Sequence, residues 1–91
     1  MAYMVLNLEV ADYDDWKKLF DADPAGRRGI AKGHMLSRSV DNPNDVFIRT
    51  EFASVDDAMR FRQQLLDSGA LSNATVKSGP TVIELAEQAT Y

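Results

Sequence analysis

Residues 9–20 read EVADYDDWKKLF, and the same arrangement returns at residues 51–62 as EFASVDDAMRFR. Aligned without gaps, the two stretches share a Glu, an Ala and a pair of Asp residues. Asp12 and Ser54 stand where a helix N-cap belongs, and the paired Asp residues then meet the positive end of the helix dipole. Apolar residues follow at helical spacing. The repeat predicts two β-α-β halves within one chain.

The segments around this repeat have the pattern of strands. Residues 3–10 alternate, with the more apolar residues on one face, which is typical of a half-buried strand. A second strand is predicted from about His34 to Val40 and a third from Val46 to Phe52, joined by a turn rich in Asp, Asn and Pro. Pro80 is expected to precede the last strand, over residues 81–86. The order β-α-β-β-α-β predicts a ferredoxin-like α+β fold, a four-stranded antiparallel sheet with both helices on one face.

Length and composition limit the function classes. Ninety-one residues make one domain, residues 1–91, with a net charge of −4, which argues against binding to nucleic acids or anionic membranes. The chain has no cysteine, so thiolate catalysis and Cys-type zinc sites are excluded. No metal-ligand spacing, nucleophile elbow or phosphate loop is present, and we expect no cofactor. The N-terminus has no basic region before a long apolar run, so a cytoplasmic location is expected.

The sheet face that the helices leave uncovered has a mixed character. We expect a plain four-residue turn between the second and third strands, which places Arg38 opposite Arg49 and His34 on the uncovered face. The predicted members of this face are Tyr3, Val5, Asn7, Glu9, His34, Leu36, Arg38, Val40, Phe47, Arg49 and Glu51. A solvated face should carry fewer large apolar groups, and a sealed core fewer charges. The mixture predicts a homodimer whose sheets partly pack together and partly line a cavity.

Several motifs together resemble a known superfamily. They are DYDDWKKLFD (12–21), Gly33 at the entry to the second strand, the DNPND turn (41–45), EFASVDDAMRF (51–61) and Pro80. With these features the chain resembles the dimeric α/β-barrel superfamily, in particular the small proteins grouped with antibiotic-biosynthesis monooxygenases. The resemblance implies a dimer in which two sheets face each other and the barrel interior holds the ligand. It does not fix an activity, because members include cofactor-free oxygenases, haem-degrading enzymes, isomerases and proteins with no known activity.

Three residues are the candidates for catalysis. His34 is the only histidine, and a histidine has an ordinary pKa near neutrality. It is therefore a general base for a phenolic or enolic substrate, an axial ligand, or a solvated residue at the strand edge. Arg38 and Arg49 would stabilise a developing enolate or phenolate, because two opposed cations are unfavourable unless something anionic lies between them. Alternatively, they form an ion network with Glu9 and Glu51.

Other residues are candidates for ligand binding or for packing. Tyr3 and Asn7 either orient a ligand oxygen or form cross-strand hydrogen bonds at the dimer seam. Glu9, Phe47 and Glu51 complete the predicted ligand-binding set. Trp16 has the helical spacing of a core residue. The short basic patch of Arg27, Arg28 and Lys32 is expected to be solvated.

Two functions of different class follow. In the first, the chain is a cofactor-independent monooxygenase or related enzyme that acts on a small aromatic or polyketide-like molecule. In the second, it is a non-catalytic domain that binds, stores or senses a small ligand. The lack of a convincing acid–base pair favours the second, and the resemblance favours the first.

Overall fold

The structure of the protein is a computed structural model, and it describes all residues from Met1 to Tyr91. Its elements alternate as the repeat predicts, and each strand is antiparallel to its neighbours in a sheet of order β2-β3-β1-β4. The strands are β1 (Ala2–Glu9), β2 (Gly33–Arg38), β3 (Asp45–Phe52) and β4 (Thr75–Glu84). The helices are α1 (Tyr13–Asp21) and α2 (Val55–Ser68), with short 3-10 helices at Arg27–Gly29 and Ala70–Asn73. The predicted ferredoxin-like α+β fold is confirmed.

Both helices begin at the predicted caps. The side chain of Asp12 accepts a hydrogen bond of 3.0 Å from the N–H of Asp15. The hydroxyl of Ser54 accepts one of 3.1 Å from the N–H of Asp57. Each cap satisfies a backbone donor that the first helical turn leaves free. The repeated sequence therefore caps the N-terminus of both helices in the same way.

The core lies between the helices and one face of the sheet. Alternate residues of β1 and β3 are buried there, and the rings of Trp16 and Phe20 stack on one another with centroids 5.2 Å apart. Phe61 of α2 packs against Phe52 of β3. The buried residues of this core are Ala2, Met4, Leu6, Leu8, Val10, Trp16, Phe20, Val46, Ile48, Phe52, Ala58, Phe61 and Leu65. The core role predicted for Trp16 is confirmed. No helix is both long and apolar enough to cross a membrane.

The register of β2 differs from the expected one. Ser37, not Val40, lies opposite Phe47, and Met35, not Arg38, lies opposite Arg49. The connection between β2 and β3 comprises residues 39–44 and is longer than a four-residue turn. Within it, the hydroxyl of Ser39 accepts the N–H groups of Asp41 and Asn42, and Val40 is fully exposed. An odd shift in register moves every side chain of a strand to the other face. The predicted face of β2 was therefore wrong.

The last strand begins earlier than expected. β4 starts at Thr75, so Pro80 lies inside the strand rather than before it. β4 is an edge strand that pairs only with β1, and its pairing shifts register between Val5 and Asn7. An edge strand tolerates a proline because the missing N–H need not serve a neighbour.

Candidate functional site

The sheet face without helices, called here the open face, holds most of the predicted ligand-binding residues. Alternation along β1 and β3 places all seven predicted members of these strands on it. They are Tyr3, Val5, Asn7, Glu9, Phe47, Arg49 and Glu51. From β2, the corrected register brings Met35 and Ser37 to the open face in place of Leu36 and Arg38.

The charges of the open face do not form the ion network that the sequence suggested as an alternative. Arg49 takes part in none of the ion pairs of the structure. Its guanidinium instead lies over the ring of Tyr3, 4.2 Å from the centroid. Such a cation–π contact stabilises the arginine without neutralising it. The open face therefore carries an arginine that forms no ion pair with the carboxylates of the same face.

Asn7 makes the cross-strand hydrogen bonds that were the alternative to ligand binding. Its amide donates to the Asp45 carboxylate at 2.8 Å and to the carbonyl of Val46 at 3.0 Å. Lys77 of β4 lies 3.2 Å from the same carboxylate. The hydrogen bond from Asn7 lowers the pKa of Asp45, and Lys77 lowers it further. These contacts leave no free donor on Asn7 in the isolated chain.

His34 and Arg38 lie on the helix side, not on the open face where they were predicted. His34 packs edge-on against Phe20 of α1, with ring centroids 5.1 Å apart. Arg38 lies 3.8 Å over the ring of Tyr13, and its Nε donates to the carbonyl of Pro43. The odd shift in register separates Arg38 from Arg49. His34, near the start of β2, still lines an open pocket together with Tyr3, Arg49 and Glu51. Two of the three predicted catalytic residues are therefore brought near each other, and Arg38 is not.

Burial is the main cause that lowers the pKa of His34, and the positive charge of Arg27 lowers it further. This shift favours the neutral imidazole, which is the form that accepts a proton. No group of three or more His, Cys, Asp or Glu side chains is arranged to hold a metal ion.

A cavity of about 80 Å³ lies between the two helices and the sheet, and is called here the helix-side cavity. Its floor is β1 and β3, and its walls include three aromatic rings, those of Trp16, Phe20 and Phe61. Leu19, which is 48% exposed, marks its mouth together with Pro24 and Asn73. The lining residues are Met4, Leu6, Leu8, Trp16, Leu19, Phe20, Asp23, Pro24, Ala25, Arg27, Ile48, Thr50, Phe61, Leu65, Ala70, Leu71 and Asn73. Mostly apolar walls with a few polar groups are typical of small-molecule sites.

Arg27 brings a charge to the wall of the helix-side cavity. It was expected to be solvated, but it is only 7% exposed. Gly26 adopts φ of 75°, a left-handed conformation that suits glycine, where the chain turns toward the 3-10 helix. The guanidinium of Arg27 then lies 3.8 Å over the ring of Phe20. The prediction of a solvated patch failed at Arg27, because this turn folds it against α1.

Asp23 fixes the turn that carries Arg27. Its carboxylate accepts the backbone N–H of Arg27 at 2.7 Å and that of Arg28 at 3.0 Å. Burial acts to raise the pKa of Asp23, but these hydrogen bonds and the two arginine charges outweigh it and hold the pKa below its usual value. Burial lowers the pKa of Arg27, and the Asp23 charge opposes this. The pair is thus charged, although its closest approach, Nη1 to Oδ1, is 3.7 Å.

Sequence reasoning had one available signal for this site. Asp23 and Arg27 are four residues apart on either side of a Pro-Ala-Gly turn, a spacing that brings opposite charges together in a helical turn. What the sequence lacks is any sign that Phe20 lies beneath the guanidinium.

No family model matches the chain, and no curated protein sequence matches it significantly. Solved structures do resemble it over nearly its whole length. A Deinococcus radiodurans protein assigned to the antibiotic biosynthesis monooxygenases is 15% identical, with a TM-score of 0.70, and the match covers 100% of this chain and 98% of that one. For Rv0793 from Mycobacterium tuberculosis the identity is 17%, the TM-score 0.65 and the coverage 99% and 100%.

A Nitrosomonas europaea protein with the same assignment is 13% identical, with a TM-score of 0.52 over 91% of this chain and 94% of that one. Identities this low establish the fold and leave the activity open. The chain therefore has the ferredoxin-like α+β fold of these proteins, which confirms at the level of fold the resemblance found in its sequence.

Proposed function

We propose that the protein is a homodimeric, cofactor-independent monooxygenase that holds a small aromatic molecule, or one end of a polyketide-like molecule, in the helix-side cavity. The observation that carries the proposal is the cavity itself, an apolar cleft walled by Trp16, Phe20 and Phe61. Flat rings pack favourably against aromatic walls in offset or edge-on arrangements. The fold shared with the Deinococcus and Nitrosomonas proteins supports the reaction class.

The size of the helix-side cavity restricts what enters it. Its volume of about 80 Å³ is roughly half that of an engineered cavity of about 150 Å³, in another protein, that binds benzene. A ring therefore enters only if the mouth widens. Leu19 is half-exposed and Leu71 belongs to a short 3-10 helix, so these two walls are the ones that yield most easily. Any further rings of the substrate project into solvent.

The chemistry proposed for the cavity relies on the substrate. An activated carbanion reacts with dioxygen once its enolate or phenolate form is stabilised, so the protein supplies a dry pocket and a positive charge. The substrate enters the cavity already ionised, because His34 packs against Phe20 and does not line the cavity. One oxygen atom of dioxygen becomes a carbonyl on the substrate carbon, and the other leaves as water with the two hydrogens that this carbon bore before ionisation.

The absence of a histidine from the cavity wall favours the second function. In that case the protein binds the same ligand without changing it. The two functions differ in one result: the enzyme consumes dioxygen when its ligand is present, and the binding protein returns the ligand intact.

The open face is the proposed dimer interface. It exposes Phe47 and Met35 beside Arg49, which forms no ion pair within the chain. Contiguous exposed apolar groups mark interaction surfaces in soluble proteins. In this arrangement Tyr3, Asn7, Glu9, Phe47, Arg49 and Glu51 line the space between two sheets. Native mass spectrometry should give the mass of a dimer, and a monomer would contradict this part of the proposal.

The only tryptophan of the chain provides a direct test of the cavity, since Trp16 lines it. Single-ring phenols should change its fluorescence in a saturable way. The variant Ala70→Met fills the cavity and should abolish the effect, whereas Ala53→Met, at an exposed position outside the cavity, should keep it. Equal binding by both variants would contradict the proposed site. Ligand-dependent oxygen uptake then separates enzyme from binding protein.

A further inference from the structure

Arg27, on the wall of the helix-side cavity, has a buried polar atom without a partner. Nη2 of Arg27 is the only buried side-chain nitrogen or oxygen in the structure without a hydrogen bond. Buried polar groups in folded proteins are almost always paired, and an unpaired charged donor is among the most expensive exceptions. Each such atom therefore calls for a missing partner or a specific role.

The neighbours of Arg27 do not supply that partner. Asp23 reaches Nη1 only at 3.7 Å, beyond hydrogen-bond distance. The two oxygens of Asp23 are already engaged by the backbone N–H groups of Arg27 and Arg28. Phe20 covers the flat face of the guanidinium, whereas the N–H groups point outward in its plane. Contact with the ring thus leaves the in-plane donor unsatisfied.

The position of Arg27 shows which kind of partner would fit. The side chain lines the helix-side cavity, whose other walls are mostly apolar. A bound water needs two to four polar partners. The polar side chains of the wall are Asp23, Arg27, Thr50 and Asn73, but both oxygens of Asp23 are engaged and Asn73 lies at the mouth. A ligand with an apolar body and one oxygen at its end matches both the walls and the donor. An ionised oxygen fits better than a neutral one, because hydrogen bonds between charged groups are the stronger ones.

We propose that Arg27 is the specificity-determining residue of the helix-side cavity, and that the cavity selects small apolar molecules that end in an oxyanion. The inference rests on the proposed function, because it assumes that the cavity is the ligand site. A carboxylate and a phenolate share this chemistry. Nη2 of Arg27 donates to the oxyanion, while Phe20 and Trp16 hold the apolar body.

The test compares ligands of one shape and different charge. Benzoate is paired with benzamide, its neutral isostere, and 4-cyanophenol is titrated below and above its own ionisation. Binding is followed by Trp16 fluorescence and by calorimetry. The wild-type protein should bind the anion of each pair at least about tenfold more tightly, the factor expected from a hydrogen bond to a charged group. Whichever anion binds more tightly, benzoate or 4-cyanophenolate, then shows whether the cavity prefers a carboxylate or a phenolate.

Two variants that each remove one positive charge show whether the preference for anions depends on Arg27. Arg27→Met should bind both anions at least about tenfold more weakly and leave benzamide within about twofold, since only the charged contact is lost. Arg28→Met is the matched control, because Arg28 is exposed and does not line the cavity. It should keep the preference for anions. An equal loss in both variants would mean general electrostatic attraction and would overturn the assignment.

The remaining outcomes separate the inference from the proposed function. If benzamide binds the wild-type protein as tightly as benzoate, the cavity is a ligand site without charge selection, so the inference fails and the function stands. If no ring compound changes the fluorescence of Trp16, both fail. The wild-type comparison decides the matter even if Arg27→Met does not fold.

Discussion

The two β-α-β halves of the chain begin alike and end differently. Both helices start from a side-chain cap followed by two Asp residues. α2 then runs for 14 residues and buries three of them in the core, whereas α1 stops after nine residues and buries only Trp16 and Phe20. After α1 the chain makes the turn that carries Asp23 and Arg27 to the cavity. Both halves contribute to the core and to the cavity wall, but only the first half adds a buried charge, Arg27, to that wall.

The largest effect should come from breaking the second half. Phe61→Ala removes a ring that is almost fully buried against Phe52 and should lower the free energy of unfolding by about 3–5 kcal/mol. Its counterpart in the first half, Leu19→Ala, removes a half-exposed side chain at the mouth of the cavity and should lower it by less than about 1 kcal/mol. Urea denaturation measures both. Similar losses would contradict the difference in burial between these two aligned positions.

A smaller effect should come from the Asp23–Arg27 pair. Asp23→Ala leaves a buried guanidinium without its anion and removes two backbone hydrogen bonds, so a loss of about 3 kcal/mol is expected. Arg27→Met replaces the charge with an apolar chain of similar length and should change stability by less than about 1 kcal/mol. Equal losses would contradict the view that Arg27 serves binding rather than folding.

The Asp23–Arg27 pair also predicts how the stability of the protein changes in acid. The pKa of Asp23 is lower in the folded chain than its usual value of 3.8, so its stabilising contribution is complete above that value. The contribution is lost as the pH falls through the lower, folded pKa. Asp23→Ala should therefore lose less stability than the wild type on acidification below pH 3.8.

The smallest effect concerns His34, at the edge of the first half. Its pKa should lie below 6.5, because burial and then the charge of Arg27 disfavour the cation. Since it is the only histidine, one set of imidazole NMR signals reports the titration. Arg27→Met should raise this pKa, and an oxyanion bound at Arg27 should do the same. A pKa at or above 6.5 in the wild type would contradict the packing against Phe20.

Local patterns were enough to predict the fold. Alternation in β1 and β3, two caps and the repeated Asp pairs determine strand, helix and order, because each acts over a few residues. The face of β2 could not be predicted in this way, since it depends on how many residues the connection contains. Ser39 extends that connection with its own hydroxyl, and an odd change reverses the strand.

The candidate site was harder to predict for a different reason. Arg27 stands beside another arginine in a polar stretch, which is typical of a solvated surface. Its burial depends on Phe20, which precedes it on α1, and on Asp23, which holds the turn. Contacts of this kind arise only when the chain has folded back on itself.

The irregular middle of β4 has a consequence for how copies of the chain can aggregate. At Gly79 a side chain would approach the carbonyl oxygen of Val5 to 2.5 Å, so no other residue fits there. The next residue, Pro80, has no N–H to offer to an incoming strand. Exposed sheet edges are the usual templates for fibril growth, and prolines and bulges are the devices that blunt them. The longest strand of the protein is thus interrupted in its middle as a template for another chain.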